Sequence, residues 1–273
     1  MFAGANSLYE DSEFVIFGVP FDKTSSFRAG SAKGPQTIRD SSFCFEPYML
    51  EHDVSLKDIL IHDMGDIQEY EDVDEMGVEL EDLVSEIVND KKIPIVIGGE
   101  HSVSPFVLSG YKDHYDLVDV VVLDAHLDFR DEYEGLKNSH AVAVRRISES
   151  EIVRDLKVLG VRSMSQEEAV TEKPTYVLAS NFEDSVDNLQ GDLPIYLSID
   201  MDVFDPAYAP GVGNPEPFGV KPVIVKEIIQ SLSSNIIGMD LVETNPRFDV
   251  GDITSILASR LIYEFIGSKK CKK

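Results

Sequence analysis

The sequence predicts an α/β layered fold around a mostly parallel sheet, and two observations carry that prediction. Short apolar runs recur along the 273 residues, most of them ending at Gly, Asp or Asn. Several are apolar on successive residues, as strands buried on both faces require. Segments of helical period separate them, and strands alternating with helices belong to one parallel sheet.

In chain order the predicted strands are Phe14–Val19, Ile59–Ile61, Ile93–Ile97, Val118–Leu123, Val158–Val161, Tyr176–Leu178, Ile195–Ile199 and Ile236–Val242. The clearest predicted helix is Val73–Val88. There Val73, Met76, Leu80, Leu83, Val84, Ile87 and Val88 fall on one stripe and the many acids fall outside it. Similar periodicity predicts helices at Ser102–Tyr111, Val223–Leu232 and Ile253–Ile266, the last suited either to an interface or to covering the sheet. No repeat, linker or composition break divides the chain, so residues 1–273 are expected to form one domain.

Charge narrows the function. With 24 Lys+Arg against 50 Asp+Glu the formal charge is −26, which disfavours nucleic acid and anionic membrane surfaces and suits a cationic ligand or a metal. Most such charge is simply a solvated surface. Cys44 and Cys271 form no C-x-x-C pair, so neither a disulfide framework nor a thiolate metal site is expected. No apolar run approaches the roughly 20 residues of a membrane helix, and Met1 to Glu13 lacks signal-peptide character. A soluble, cytoplasmic protein is the expectation.

Ligands of a parallel sheet bind beyond the carboxyl ends of its strands, so the residues that follow each strand matter most. They are Gly98-Gly99-Glu100-His101-Ser102, Asp124-Ala125-His126-Leu127-Asp128, Asp200-Met201-Asp202 with Asp205-Pro206, and Glu243-Thr244-Asn245-Pro246. If the strand continues, a period of two puts Asp124, His126 and Asp128 on one side, and Asp200 and Asp202 do likewise. Two imidazoles and four carboxylates cannot pack together unless cations neutralise them. The set exceeds one tetrahedral zinc and is rich in oxygen, which fits two divalent ions of the Mn²⁺ type. A lone D-x-H-x-D is most often loop polarity, and Gly-Gly or Asp-Pro pairs are usually turns; their joint occurrence after four strands favours a site. His52, His62 and His114 have no such setting and read as ordinary polar residues.

Gly98-Gly99-Glu100-His101-Ser102, Asp124-Ala125-His126-Leu127-Asp128 and the run Ser198 to Pro206 resemble the three signature blocks of the ureohydrolases, the family of arginase and agmatinase. Gly18-Val19-Pro20-Phe21-Asp22, Asp63-Met64-Gly65-Asp66, Gly160-Val161-Arg162-Ser163 and Asp240 to Pro246 extend the resemblance over nearly the whole chain. It implies a three-layer α-β-α architecture with a mostly parallel sheet of about eight strands. It also implies two Mn²⁺ per chain: one held by His101, Asp124, Asp128 and Asp200, the other by Asp124, His126, Asp200 and Asp202. His140 matches the family's active-site histidine, a proton carrier, and Glu243 matches the carboxylate that pairs with a substrate guanidinium. The implied reaction is hydrolysis of a guanidino compound to urea and a primary amine, with the two ions activating a shared solvent molecule. Relatives form trimers or hexamers, so a homo-oligomer is expected.

The stretch Phe129 to His140 resembles the agmatinase form and lacks the small polar set with which arginase binds an α-carboxylate. Asp131, Glu132 and Glu134 suit a ligand cationic at both ends, as agmatine is, and equally suit a solvated loop. Agmatine hydrolysis would give putrescine, for polyamine synthesis; arginine, guanidinobutyrate and guanidinopropionate are the alternative substrates. Three departures from the family stand out: Glu100 where Asp is commoner, Ala141-Val142 after the histidine where Gly is common, and Pro217-Phe218-Gly219 where a Gly-Gly pair is usual. Outside this reaction class the rivals are a single-zinc deacetylase on the related fold, which needs neither His101 nor Asp202, and a catalytically silent metal-binding or acidic scaffold. Gly98-Gly99 matches neither nucleotide-binding fingerprint.

Overall fold

A computed structural model describes residues 1–172, 174–185, 189 and 191–271. Its strands are β1 (Phe14–Val19), β2 (Tyr48–Met49), β3 (Val54–Ser55), β4 (Ile61–Asp66), β5 (Ile93–Gly98), β6 (Val118–Leu123), β7 (Val153–Val161), β8 (Thr175–Leu178), β9 (Ile195–Asp200) and β10 (Ile236–Val242). Its helices are α1 (Gly34–Ser41), α2 (Val73–Asn89), α3 (Ser104–Ser109), α4 (Ala143–Ser148), α5 (Gln166–Val170), α6 (Phe182–Ser185), α7 (Pro222–Leu232) and α8 (Ile253–Lys270). Eight strands form one sheet in the order β4-β1-β5-β10-β9-β6-β7-β8, and every pairing in it is parallel. β2 and β3 pair separately, antiparallel.

Because successive strand residues face opposite ways, each buried strand feeds two cores. Phe14, Ile16, Ile97 and Leu197 join Ile38 of α1, Ile228 of α7 and Ile262 of α8. Val15, Phe17, Val96 and Tyr196 join Leu80 of α2, Val107 of α3 and Val144 of α4. The result is three layers, with each fully buried large apolar side chain contributing about 1.5–3 kcal/mol. Helix α2 starts where Asp72 accepts from the amides of Asp74 and Glu75, an N-cap that also places two acids at the positive end of the helix dipole. Helix α8 covers the sheet beside α1 and α7, with Ala258, Leu261, Ile262, Phe265 and Ile266 buried.

Several predicted boundaries move. The strand expected at Ile59–Ile61 begins at Ile61 and runs to Asp66; it is the sheet edge, where polar His62, Asp63 and Asp66 are tolerated. Ser102–Tyr111 divides into a 3₁₀ turn at His101–Val103 and the shorter α3, since Pro105 suits only a first helical turn. β6 stops at Leu123 instead of continuing through Asp128. Among the described residues no helix is long and apolar enough to cross a membrane.

The strand order makes the crevice. From β5 the chain passes to β6 across two positions that β9 and β10 later fill, so β5, β10, β9 and β6 are four neighbours at a topological switch point. Beside them a buried ion pair ties α1 to β4: Arg39 Nε lies 2.9 Å from Asp63 Oδ2, and Asp63 also accepts from the amides of Phe2 and Gly65 at 2.5 and 3.0 Å. Burial pushes the Asp63 pKa up, but Arg39 and these amides outweigh it and hold it below the usual value. Removing one partner of a buried pair costs about 3–5 kcal/mol, and this is the loss expected for Asp63→Asn in urea denaturation. Because the folded pKa is depressed, the carboxylate's contribution is full above the ordinary Asp value of about 3.9 and fades as pH falls through the folded value. Wild type and variant should therefore converge in strong acid; an unchanged gap at pH 3 would contradict the assignment.

Candidate metal centre and active site

The four central strands end in the residues the motifs named. β6 ends before Asp124, β9 ends in Asp200, and His101 follows β5 by way of Gly99 and Glu100. Gly99 is there of necessity, since a Cβ would stand 2.0 Å from the Phe21 carbonyl oxygen. The acids do not sit on prolonged strands. Asp124 Oδ1 accepts from the His126 amide at 2.6 Å and Asp200 Oδ1 from the Asp202 amide at 2.8 Å, side-chain turns that fold both segments back over the strand ends. Asp128 arrives by a left-handed backbone, φ 47°.

These turns assemble two groups of three: His101, Asp124 and Asp200, and Asp124, His126 and Asp202. In each group the ligand atoms lie within 4.8 Å of one another, and Asp124 belongs to both. His101 Nδ1 is 3.1 Å from Asp124 Oδ2 and 3.4 Å from Asp128 Oδ2 and Asp200 Oδ2. His126 Nδ1 is 2.9 Å from Asp202 Oδ2. His101 Nδ1 and Asp124 Oδ2 are buried without a hydrogen-bond partner, as lone pairs converging on a cation would be. The donor set, two imidazole nitrogens among carboxylate oxygens, therefore fits a pair of divalent ions.

Protons respond to the same crowding. Burial first, then Asp202 and Asp124, raise the Asp200 pKa well above the carboxylate range. Burial and Asp124 push Asp128 up to about 6. For Asp124 burial acts upward, but the imidazoles of His101 and His126 prevail and lower it. His101 is raised well above its ordinary value despite burial, by Asp124, Asp128 and Asp200.

A second circle of buried polar groups holds the first. His101 Nε2 lies 3.1 Å from Ser198 Oγ, which donates to Asp240 Oδ1 at 2.7 Å; Tyr196 donates to the other oxygen of Asp240. Arg162 donates to the carbonyls of Asp202, Val203, Phe204 and Glu216, fixing the turn that carries Asp202. No role for Ser198, Asp240 or Arg162 followed from the motifs that contain them. The available signal was a lone Ser and a lone Asp inside otherwise apolar buried strands.

In front of the acids lies a cavity of about 200 Å³. Glu243 enters it from the end of β10 on a left-handed backbone, φ 65°, with Oε1 accepting from the His101 amide at 2.9 Å. Burial, then Glu100 and Asp202, raise its pKa well above the usual range. His140 also lines the cavity. Its pKa falls to about 4, chiefly through burial and then through the His101 and His126 imidazoles. Asp131, Glu132 and Glu134 are exposed and are absent from the cavity wall, where Arg130, Tyr133 and Glu168 stand instead. Asp131 turns to Arg145 and Arg146, so that loop reads as solvated surface at these three positions. A tight turn with positive φ at Glu134 and Gly135 folds Tyr133 inward against His140, ring centroids 5.6 Å apart.

The profile of the arginase family matches residues 12–267. The chain belongs to the arginase family. This arginase-family hydrolase is 37% identical to the crystallised agmatine ureohydrolase of Thermoplasma volcanium, with a TM-score of 0.93 over 98% of this chain and 93% of that one. It is 35% identical to an agmatinase of Halalkalibacterium halodurans over 97% of this chain and 95% of that protein. It is also 35% identical to the N(1)-aminopropylagmatine ureohydrolase of Thermococcus kodakarensis, covering 95% and 91%. The chain is an agmatinase-like ureohydrolase, and it shares its architecture with the Thermoplasma enzyme.

Partners that orient a ligating histidine are worth about 10–100-fold in metal affinity. Asp240→Asn and Ser198→Ala in this ureohydrolase should each weaken divalent-ion binding by that factor, measured by calorimetric titration of the metal-free protein. Unchanged affinity in both would mean the Ser198–Asp240 pair only fills the core.

Proposed function

We propose that the protein is an agmatinase that uses two Mn²⁺ ions to convert agmatine and water to putrescine and urea. The observation that carries this reading is the pair of three-residue groups sharing Asp124, with unpartnered His101 Nδ1 and Asp124 Oδ2, beside a cavity that also receives Glu243. His101, Asp124, Asp128 and Asp200 would hold one ion and Asp124, His126, Asp200 and Asp202 the other; bound there, the pair would lower the pKa of water enough to give a nucleophile near neutral pH. One continuous sheet that takes in both β1 and β10 supports a single domain over residues 1–273. Family resemblance supports a cytoplasmic homo-oligomer.

The protein's own groups then act on the substrate. Glu243 is buried among acids, and a guanidinium supplies the positive charge its site lacks. The pairing orients the guanidinium carbon toward the metal ligands through charge-assisted hydrogen bonds. The His101 amide, 2.9 Å from Glu243 Oε1, holds the carboxylate in place. His140, neutral at pH 7 because of its lowered pKa, takes the proton given up by the attacking water and passes it to the amine that leaves. Departure of a neutral amine, and not its anion, is what this transfer secures.

Arg130 and Glu168 both line the cavity, with Arg130 Nε 4.0 Å from Glu168 Oε2. The Thermococcus relative's name supports a second reading, N1-aminopropylagmatine, an amine extended beyond agmatine. Urea release from Mn²⁺-loaded protein should favour agmatine by kcat/KM over arginine, guanidinobutyrate, guanidinopropionate and N1-aminopropylagmatine. Glu243→Gln should lower kcat/KM about 30-fold or more, the loss typical of a buried charge pair stripped of one partner, while both ions remain bound. Loss of the ions in that variant would make Glu243 a structural residue, and preference for a carboxylated substrate would overturn agmatine.

A further inference from the structure

We infer that Glu100 and Thr24 are positioning residues that fix the ring tautomer of His140, placing its proton on Nδ1 and leaving Nε2 as the basic atom in the cavity. Glu100 follows β5 and is fully buried, yet it belongs to neither three-residue metal group. Its carboxylate meets four donors, two on each oxygen. Oε1 accepts from Thr24 Oγ1 at 2.5 Å and Ser102 Oγ at 2.7 Å. Oε2 accepts from the Thr24 amide at 3.0 Å and Ser25 Oγ at 3.1 Å. A carboxylate has about four acceptor positions, so Glu100 is saturated, chiefly by the loop at residues 24 and 25.

The consequence follows from counting protons. A threonine hydroxyl has one proton and two lone pairs, and the Thr24 proton goes to Glu100. Thr24 Oγ1 therefore serves His140 only as an acceptor. It takes the His140 amide at 3.0 Å and faces Nδ1 at 3.4 Å, which is satisfied only if Nδ1 carries hydrogen. Nε2 is then unprotonated and lies 3.1 Å from Ser26 Oγ, with His140 and Ser26 both on the cavity wall. Ser26 has a proton to donate to it. Tyr133 stands edge-on to the ring, centroids 5.6 Å apart. Glutamate at position 100 reaches this loop where the family's commoner aspartate, one methylene shorter, would have to draw the loop inward.

The inference rests on the proposed proton-carrying role of His140, so the test has one arm that ignores activity. In Mg²⁺-loaded protein with ¹⁵N-labelled histidine, long-range ¹⁵N–¹H correlation spectra report each ring tautomer, and His140→Ala identifies the resonance. The Nδ1–H pattern is expected in wild type and its loss in Thr24→Val; an Nε2–H ring in wild type overturns the inference whatever the substrate. The second arm is kinetic, on Mn²⁺-loaded protein with agmatine. Thr24→Val should lower kcat about 10–100-fold, part of the about 10²–10⁴-fold that general acid–base catalysis contributes, with KM and bound Mn²⁺ nearly unchanged, Thr24→Ser should restore most of it, and Thr24→Val should cost less than about 2-fold in a His140→Ala background. Additive losses would show that Thr24 acts elsewhere and overturn the inference. Full activity of His140→Ala alongside the Nδ1–H spectrum would instead remove His140's role and leave the tautomer assignment standing.

Discussion

Everything in this structure answers to one electrostatic constraint, the concentration of carboxylates at the carboxyl edge of four adjacent strands. Asp124, Asp200, Asp202 and Glu243 are all buried, and Asp128 is largely so. Charges of one sign cannot be taken out of water without counter-charge. The raised pKa values of Asp200 and Glu243 and the raised values of His101 and His126 are two faces of that demand. Protons meet it where cations would do so better. The supporting groups, Ser198 and Asp240 behind His101 and Arg162 behind Asp202, keep the ligand atoms aimed at common points instead of letting them spread apart.

Much of this was legible in the sequence because chemistry and punctuation coincide. Val118–Leu123 and Ile236–Val242 are mostly apolar, end on apolar residues and are followed at once by an acid, so both strand and site announce themselves. Phe14–Val19 was equally plain. Ile61–Asp66 was not, because an edge strand is buried on one side and half its residues are polar. α1 and α4 escaped notice for a related reason: Gly34–Ser41 and Ala143–Ser148 are too short for periodicity to accumulate. In the site, residue types fixed the candidates but backbone geometry could not be read. Asp124 and His126 looked like one face of a strand and are instead joined by a side-chain turn.

The acids at Asp131, Glu132 and Glu134 show where composition misleads. In a chain with a formal charge of −26 an acidic loop is the ordinary case, and only the fold tells which acids face inward. Glu168 does, held by the amides of Phe129 and Ser165, although it lies forty residues from the motif it faces. Conversely, left-handed backbone at Asp128 and Glu243 costs about 1–3 kcal/mol at each non-glycine residue, and both are residues whose side chains must turn toward the cavity. Strain of this kind survives where the surrounding structure over-determines it, here through the Glu243 amide bonded to the Gly99 carbonyl at 2.6 Å.

The carboxylate of Asp124, common to both ligand groups, would make the proposed centre binuclear instead of two isolated sites. The most direct measurement is an anomalous difference map from a crystal equilibrated with Mn²⁺. Two peaks are expected in each chain, one among His101, Asp124 and Asp200 and one among Asp124, His126 and Asp202, separated by about 3.5–4 Å as in two-metal hydrolases. A single peak, or two peaks that do not both contact Asp124, would contradict the binuclear centre.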